Sequence, residues 1–322
     1  MDRLPRLRHL QPDSAGQGYY LCARKERRLT RAGEPWLSLV LQDLTGQVAG
    51  KLFPPDSERC ASQFEAGEFV CVEGRVNVYN GRSELVLSSV RRVNAAQDAA
   101  NGFREEDCVP CAPRPADEMW RELTARIDAV GDTGLCVLLR RIAADHGAQL
   151  RVWPAAQVVH HAYRGGLLEH VLQVARAGEA LAHAYGADAD LVFAGAVLHD
   201  IGKLREIDYD LVPSYSREGN LVGHIGLGLI MVREAATGLS ALSSERLGEI
   251  EHLIASHHGA RELGALVEPK TLEAFILAAA DDLDAKIHQV RRHVAADEGD
   301  GEFTAYDTRM KRSFLKPRAN RP

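Results

Sequence analysis

Seven side chains in the second half of the sequence combine metal- or proton-binding chemistry with apolar surroundings: His170, the pair His199-Asp200, His224, the pair His257-His258, and Asp281. His170 shares one helical face with Leu167, Val171 and Val174, so its imidazole is directed at a core. His199 and Asp200 end an apolar helix expected over 191–198, and Gly202 is read as the residue that lets the helix stop. Asp281 follows the apolar run FILAAA, where a carboxylate needs a partner. Taken singly, each has an ordinary explanation, because a histidine on an apolar helix face is usually a hydrogen-bonded core residue. Together they do not. Five imidazoles and two carboxylates are costly to bury as structure, whereas divalent cations reconcile them by supplying charge to every lone pair. Imidazole with carboxylate suits Mn, Fe, Ni or Zn better than Mg or Ca, and the absence of cysteine argues against a structural zinc site. Redox-neutral hydrolysis is the simplest chemistry for this donor set.

The elements that must hold these residues fall into two groups, as 322 residues imply about two domains. Hydrophobic residues at 45% and charged residues at 26% are those of an ordinary globular chain. No apolar stretch approaches the roughly 20 residues needed to cross a bilayer, so no membrane partner is expected and the location is read as cytoplasmic. Residues 19–23, 36–41, 48–53, 69–79 and 85–90 read as five short strands, the last two joined at Asn80-Gly81, a strong hairpin signal. Five strands in under 100 residues suggest a small closed barrel of the OB type over 1–95. Residues 96–117 lose periodicity and gather Asn, Gly, Asp and Pro, as a linker does. From 118 to 294 apolar residues recur at helical spacing, over 119–146, 167–184, 189–198, 224–237, 243–257 and 272–290. The fold expected is therefore multidomain α+β, a five-stranded barrel followed by an all-α domain, with a basic tail over 295–322.

The net charge of -6 divides unevenly, +2 over residues 1–100 and -8 over the rest. That excess permits a local phosphate-tracking surface and proves none. Arg24, Lys25, Arg27, Arg28 and Arg31 fall between the first two expected strands, with Tyr79 among the nearby aromatics, while Trp36 and Phe53 are read as core. OB barrels bind single strands by stacking bases on aromatics while basic residues follow the backbone. His160 and His161 are further candidates for substrate contact. The six cysteines include one CxxC, Cys108 and Cys111, without a second pair or a histidine to complete a zinc set, and suit a reduced compartment.

The order His170, then His199-Asp200, then Asp281 matches the H…HD…D signature of the HD phosphohydrolase superfamily. HDIGK, GHI at 223–225, SHHG at 256–259 and DDLDAK at 281–286 resemble one branch of it, the YhaM-type 3'-5' exoribonucleases, which carry an N-terminal OB-fold. HHAYRGGLLEHV at 160–171 and LVLQDLTGQVAGKLF in the barrel are similar to that branch too, so the resemblance runs over about 16–317. It implies a first metal held by His170, His199, Asp200 and Asp281, and a second held by His224, His257 and His258, with Asp200 bridging. Asp282 stands where the family pattern has asparagine.

On this reading the cofactors are two divalent ions, Mn2+ foremost, with Fe, Ni, Co or Mg as alternatives. Two such ions would polarise a phosphodiester and generate hydroxide in line with the leaving 3' oxygen, with Asp200 as the catalytic centre and Lys203 stabilising charge on the phosphate. The expected function is a metal-dependent 3'-5' exoribonuclease releasing 5'-mononucleotides from single-stranded RNA, with single-stranded DNA as a second polymer. The resemblance also implies a homo-oligomer. Two alternatives stand beside it: a phosphohydrolase of free or cyclic nucleotides with a regulatory barrel, and a non-catalytic nucleic-acid-binding adaptor.

Overall fold

The computed structural model describes residues 3–79, 81–157, 161–297 and 299–317. Two compact units make up the chain: Met1–Cys111 with Tyr209–Pro213, and Ala112–Asp208 with Ser214–Pro322. The expected OB-type barrel followed by a helical domain is what the chain adopts.

In the first unit, β1 (Ala15–Leu29), β2 (Pro35–Asp43), β3 (Gly46–Leu52), β4 (Phe69–Tyr79) and β5 (Arg82–Arg92) close into a barrel of order β1-β2-β3-β5-β4. Alternation closes it: Leu37, Leu39, Leu41, Val48, Leu52, Val70, Val72, Val76 and Leu85 point inward and form one core. A short helix, α1 (Asp56–Cys60), lies between β3 and β4, and a further turn, α2 (Ala95–Asp98), follows β5. Two expectations need correction here. β1 runs through the basic cluster that reads as a loop, because Arg24 to Leu29 pair in register with Val40 to Pro35 of β2. The segment expected as a linker contributes Phe103, Cys108 and Val109 to a second cluster with Tyr19, Leu21 and Cys71, so much of it is barrel cap.

The second unit is built from α3 (Ala116–Asp128), α4 (Thr133–Leu150), α5 (Gly166–Tyr185), α6 (Ala189–Leu198), α7 (Lys203–Glu206), α8 (Arg217–Ala236), α9 (Ser244–Ser256) and α10 (Leu272–Ala296). Two three-residue strands, β6 (Ile207–Tyr209) and β7 (Pro213–Tyr215), pair between α7 and α8 and depart from the all-α expectation. The stretch expected as one helix over 119–146 is two. The first ends at Asp128, and Asp132 caps the second, accepting a hydrogen bond from the Leu135 amide at 3.0 Å. Asp188, Ser216, Ser243 and Thr271 cap α6, α8, α9 and α10 in the same way. Arg246 ties two of these caps together, reaching Asp132 at 2.9 Å and Asp188 at 2.7 Å. Every residue from Leu191 to Leu198 is buried, so α6 runs through the core and delivers His199 and Asp200 into its interior.

The end of the chain is not a loose tail over its described part. Residues 302–316 fold back as a narrow loop, with mutual backbone bonds between Asp307 and Arg312, and its Asp307 and Ala305 both engage His293 near the end of α10. Arg318 and Arg321 lie outside the described residues.

Candidate metal centre

Four helices and one turn converge on Asp200. α6 ends at Leu198, and the turn after it places His199 and Asp200 in the core at 0% and 2% exposure. Gly202 does not act there as a left-handed helix terminator, since its φ is -62°. Its value is steric: a Cβ on Gly202 would collide with the His224 carbonyl oxygen, so the glycine lets the turn seat against α8. α8 itself breaks at Gly223, whose φ of +74° only glycine adopts freely, and a new helical segment starts at His224. Glu206 caps that start, accepting from the His224 amide at 2.9 Å and from its Nδ1 at 3.1 Å.

Each of four imidazoles is held by Nδ1 and presents Nε2 to the centre. His170 Nδ1 meets Asp284 at 2.7 Å, His199 Nδ1 donates to the Ala196 carbonyl at 2.9 Å, and His257 Nδ1 donates to the Ile254 carbonyl at 2.8 Å. Glu206 does the same for His224. Fixing one ring nitrogen fixes the tautomer and the ring plane, which leaves the other lone pair aimed. The aimed atoms fall into two groups. His170 Nε2 lies 3.4 Å from Asp200 Oδ2 and 3.2 Å from Asp281 Oδ1, and His199 Nε2 lies 3.3 and 3.9 Å from the same two atoms. On the other side, His224 Nε2 and His257 Nε2 stand 3.7 and 3.9 Å from Asp200 Oδ1, and one nitrogen of His258 lies within 4.8 Å of both.

These separations fit ions rather than hydrogen bonds. Ligands roughly 2.1 Å from a common cation stand about 3.0 to 3.4 Å apart, close to the spacing of the first group. His170 Nε2 and His199 Nε2 face each other at 3.2 Å, where two lone pairs repel unless a proton or a cation sits between them. In the second group, His224 Nε2 and His257 Nε2 are buried and have no hydrogen-bond partner. An orphaned buried acceptor is rare, and two facing one carboxylate oxygen have the chemistry of a cation site. The donor groups present on either side of Asp200 therefore fit divalent cations.

The electrostatics agree. Burial pushes Asp200 toward neutrality, but the charges of Lys203 and His199 and the adjacent imidazoles of His170 and His199 outweigh it and hold the carboxyl well below the usual range. Asp281 is held low in the same way by His170 and His199. His257 goes the other way: burial, then the charge of His199, pushes it down to about 3, and burial with the charge of His224 lowers His258. Both stay neutral and keep a lone pair for a metal. Burial opposes charge on His170, but Asp200, Asp281 and Asp284 outweigh it and raise the imidazole well above its ordinary value.

Other expected site residues fare differently. Asp281 faces the centre while Asp282 turns out to solvent and pairs with Lys286 at 2.6 Å, which separates the two adjacent aspartates. Lys203 is buried, and its ammonium is on Asp200 Oδ2 at 2.5 Å rather than open for a phosphate. His161 is not a surface contact: at 3% exposure it bonds Tyr163, Glu169 and Asp284. His160 lies outside the described residues. Asp284, Glu206, Glu169, Tyr163 and His288 form the supports of the centre and were not singled out from sequence. The available signal was the helical repeat Asp281, Asp284, His288.

In the barrel, period two sorts the basic cluster. Arg24 and Arg28 flank Glu26 at 2.5 and 2.6 Å on one face. Lys25, on the other face, is corrected from substrate contact to scaffold: its ammonium donates to the Ala61 and Phe64 carbonyls at 2.7 and 2.5 Å and to Glu65 at 3.1 Å. Arg27 is exposed and lines a cleft of about 190 Å³ with Trp36, Ser57 and Glu58. Trp36 and Phe53 are not core. Phe53 is 40% exposed and stacks on half-buried Trp36 at 5.3 Å and 27°. Tyr79 is 60% exposed, with Lys51 above its ring at 4.9 Å.

Comparison with known proteins gives the same division. Residues 167–286 match the HD domain family, and residues 22–93 match the OB-fold nucleic acid binding domain family. A Bacillus subtilis protein named 3'-5' exoribonuclease YhaM is 33% identical over 93% of this chain and 94% of its own length. One of the same name from Halalkalibacterium halodurans is 31% identical over 98% of this chain and 97% of its own.

Proposed function

The chain belongs to the YhaM family of 3'-5' exoribonucleases, and from that premise we propose that its helical unit removes 5'-mononucleotides from the 3' end of single-stranded RNA at the Asp200 centre. It is a metal-dependent nuclease of the HD type. The observation that carries the detailed reading is the division of Asp200: one oxygen faces His170 and His199, the other His224 and His257.

His170, His199, Asp200 and Asp281 would hold one ion, and Asp200, His224, His257 and His258 the other; the carboxylates of this mixed set suit Mn2+, and its imidazoles suit Fe or Ni as well. Bound there, the ions would supply Lewis acidity toward a phosphodiester and lower the pKa of water. The chain's own residues do the rest. Asp200 keeps two donor groups in one register, and Lys203 fixes the carboxylate plane through Oδ2. Burial of His199 and Asp200 excludes bulk water from the back of the site. Asp281 and His224, at 16% and 17% side-chain exposure, form the open side through which a phosphate would enter.

In the barrel, Trp36 stacked on Phe53, Arg27 beside them, and exposed Tyr79 near Lys51 support capture of unpaired bases, since aromatic stacking with a cation nearby is sequence-tolerant. Cys22, Cys60, Cys71, Cys108 and Cys136 are buried thiols, which suits the reduced cytoplasm, where RNA is available. The test is a time course with 5'-labelled single-stranded RNA and Mn2+, with an EDTA control and a DNA strand in parallel. A ladder shortening from the 3' end, absent with EDTA, is expected. Intact RNA with release of phosphate from free nucleotides would replace this reading with a nucleotide phosphohydrolase.

A further inference from the structure

Behind His170, on the side away from Asp200, five polar side chains form a connected network. Asp284 Oδ2 meets His170 Nδ1 at 2.7 Å and His161 Nε2 at 3.0 Å. His161 Nδ1 stands 2.9 Å from the Tyr163 hydroxyl and 3.2 Å from Glu169. The Tyr163 hydroxyl donates to Glu169 at 2.5 Å and lies 3.2 Å from His288 Nε2. The imidazoles of His161 and His288 lie against each other, with centroids 4.0 Å apart. Three parts of the chain contribute: the segment 161–163, α5 through Glu169 and His170, and α10 through Asp284 and His288.

His161, His170 and Asp284 also offer three donors within reach of one cation. Their spacing rules for hydrogen bonds: 2.7 Å is shorter than two ligands of one ion usually stand, and His170 already directs Nε2 to the main centre. The network is instead a frame. Asp284 is one helical turn from Asp281, so α10 presents a ligand for the ion and a brace for the opposing ligand on one face. His161 in turn leaves Asp284 little freedom to rotate, and Glu169 and Tyr163 hold His161.

Building on the metal-centre reading above, we propose that Asp284 is a positioning residue for the first metal group, fixing the His170 tautomer and ring plane, and that His161 with Glu169 and Tyr163 holds Asp284 in that role. It acts through His170 and touches neither ion nor substrate. A carboxylate on the far nitrogen of a ligating histidine typically changes metal affinity by roughly 10- to 100-fold.

The test uses the full chain and Mn2+ alone, by competition against a chelator without RNA, so it does not depend on the nuclease reading. Asp284→Ala is expected to lose roughly 10- to 100-fold in the tightness of the first ion. Asp284→Asn, which retains one acceptor oxygen, should recover part of that loss with an unaltered circular dichroism spectrum. Substituting Co2+ should give a changed visible absorption band in Asp284→Ala, and kcat on RNA should fall with KM nearly constant. Asp284→Ala and Asp284→Asn binding Mn2+ within twofold of wild type, while His170→Ala loses it, would overturn the positioning role and leave the metal centre standing. Unchanged Mn2+ affinity in His170→Ala would sink both.

Discussion

The barrel and the helical unit both bury charge, and they treat it in opposite ways. Asp98, at 1% exposure, is saturated: Arg91 reaches it twice, at 2.7 and 2.8 Å, the Asn94 amide at 2.8 Å and the Tyr19 hydroxyl at 3.2 Å. Asp43 accepts from the Leu7 amide and from the amide and hydroxyl of Thr45. Asp200, just as buried, has one short contact, to Lys203, and four imidazole nitrogens standing off at 3.3 to 3.9 Å. A satisfied buried charge belongs to the scaffold, and an unsatisfied cluster of them marks what the protein binds.

The strongest way to break that contrast is Asp200→Asn. Both ligand groups lose their shared anion, and RNA hydrolysis should fall roughly a thousandfold or more, while the barrel's affinity for single-stranded RNA stays within about twofold. Near-normal turnover by gel assay would put the chemistry elsewhere. Next in size is the effect of the ions on stability. An ion at a hundred times its Kd adds about 2.7 kcal/mol to the unit that holds it. Hydrogen exchange with and without Mn2+ should therefore slow up to about a hundredfold in α5, α6 and α10 and stay level in β1 to β5. Equal protection of strands and helices would erase the distinction between the units.

The same contrast explains what was legible in the sequence. Charges on apolar helices are conspicuous, so His170, His199, Asp200, His224, His257, His258 and Asp281 stand out in the sequence alone, and the expected ends of α6 and β4 coincide with the observed ones. The supports were harder. Glu206 reaches His224 only because α8 breaks at Gly223, a tertiary event with no local pattern. β1 was cut short because Arg24 to Arg28 carry charge where strands carry apolar residues; pairing with β2 decided the matter. Phe103, Cys108 and Val109 sit among linker-like residues, too sparse to show a period.

Asp98 sharpens the scaffold side. Its bonds from Arg91, opposed by burial, lower the carboxyl to about 2. A folded-state pKa below the ordinary value means stability that is complete above about pH 4 and lost as pH falls toward 2, here about 2 kcal/mol. Acid titrations followed by a barrel-specific probe should show wild type above Asp98→Asn at pH 5 and the two converging near pH 2. A constant gap across that range would deny the link.

The smallest effect lies within one strand, between Lys25 and Arg27, two cations on the same face of β1 with different commitments. Lys25 is wrapped by two carbonyls and Glu65, so Lys25→Ala should cost about 1–3 kcal/mol of barrel stability by leaving those acceptors unpaired. Its affinity for RNA, measured under conditions where the variant is folded, should hardly change. Arg27 is exposed beside Trp36, so Arg27→Ala should leave the melting temperature alone and weaken single-strand binding a few-fold. One lost phosphate contact would also lower the slope of log affinity against log salt by about 0.7. If instead Lys25→Ala changed the salt slope and Arg27→Ala changed the melting temperature, the rule separating satisfied from available charge would fail within the barrel itself.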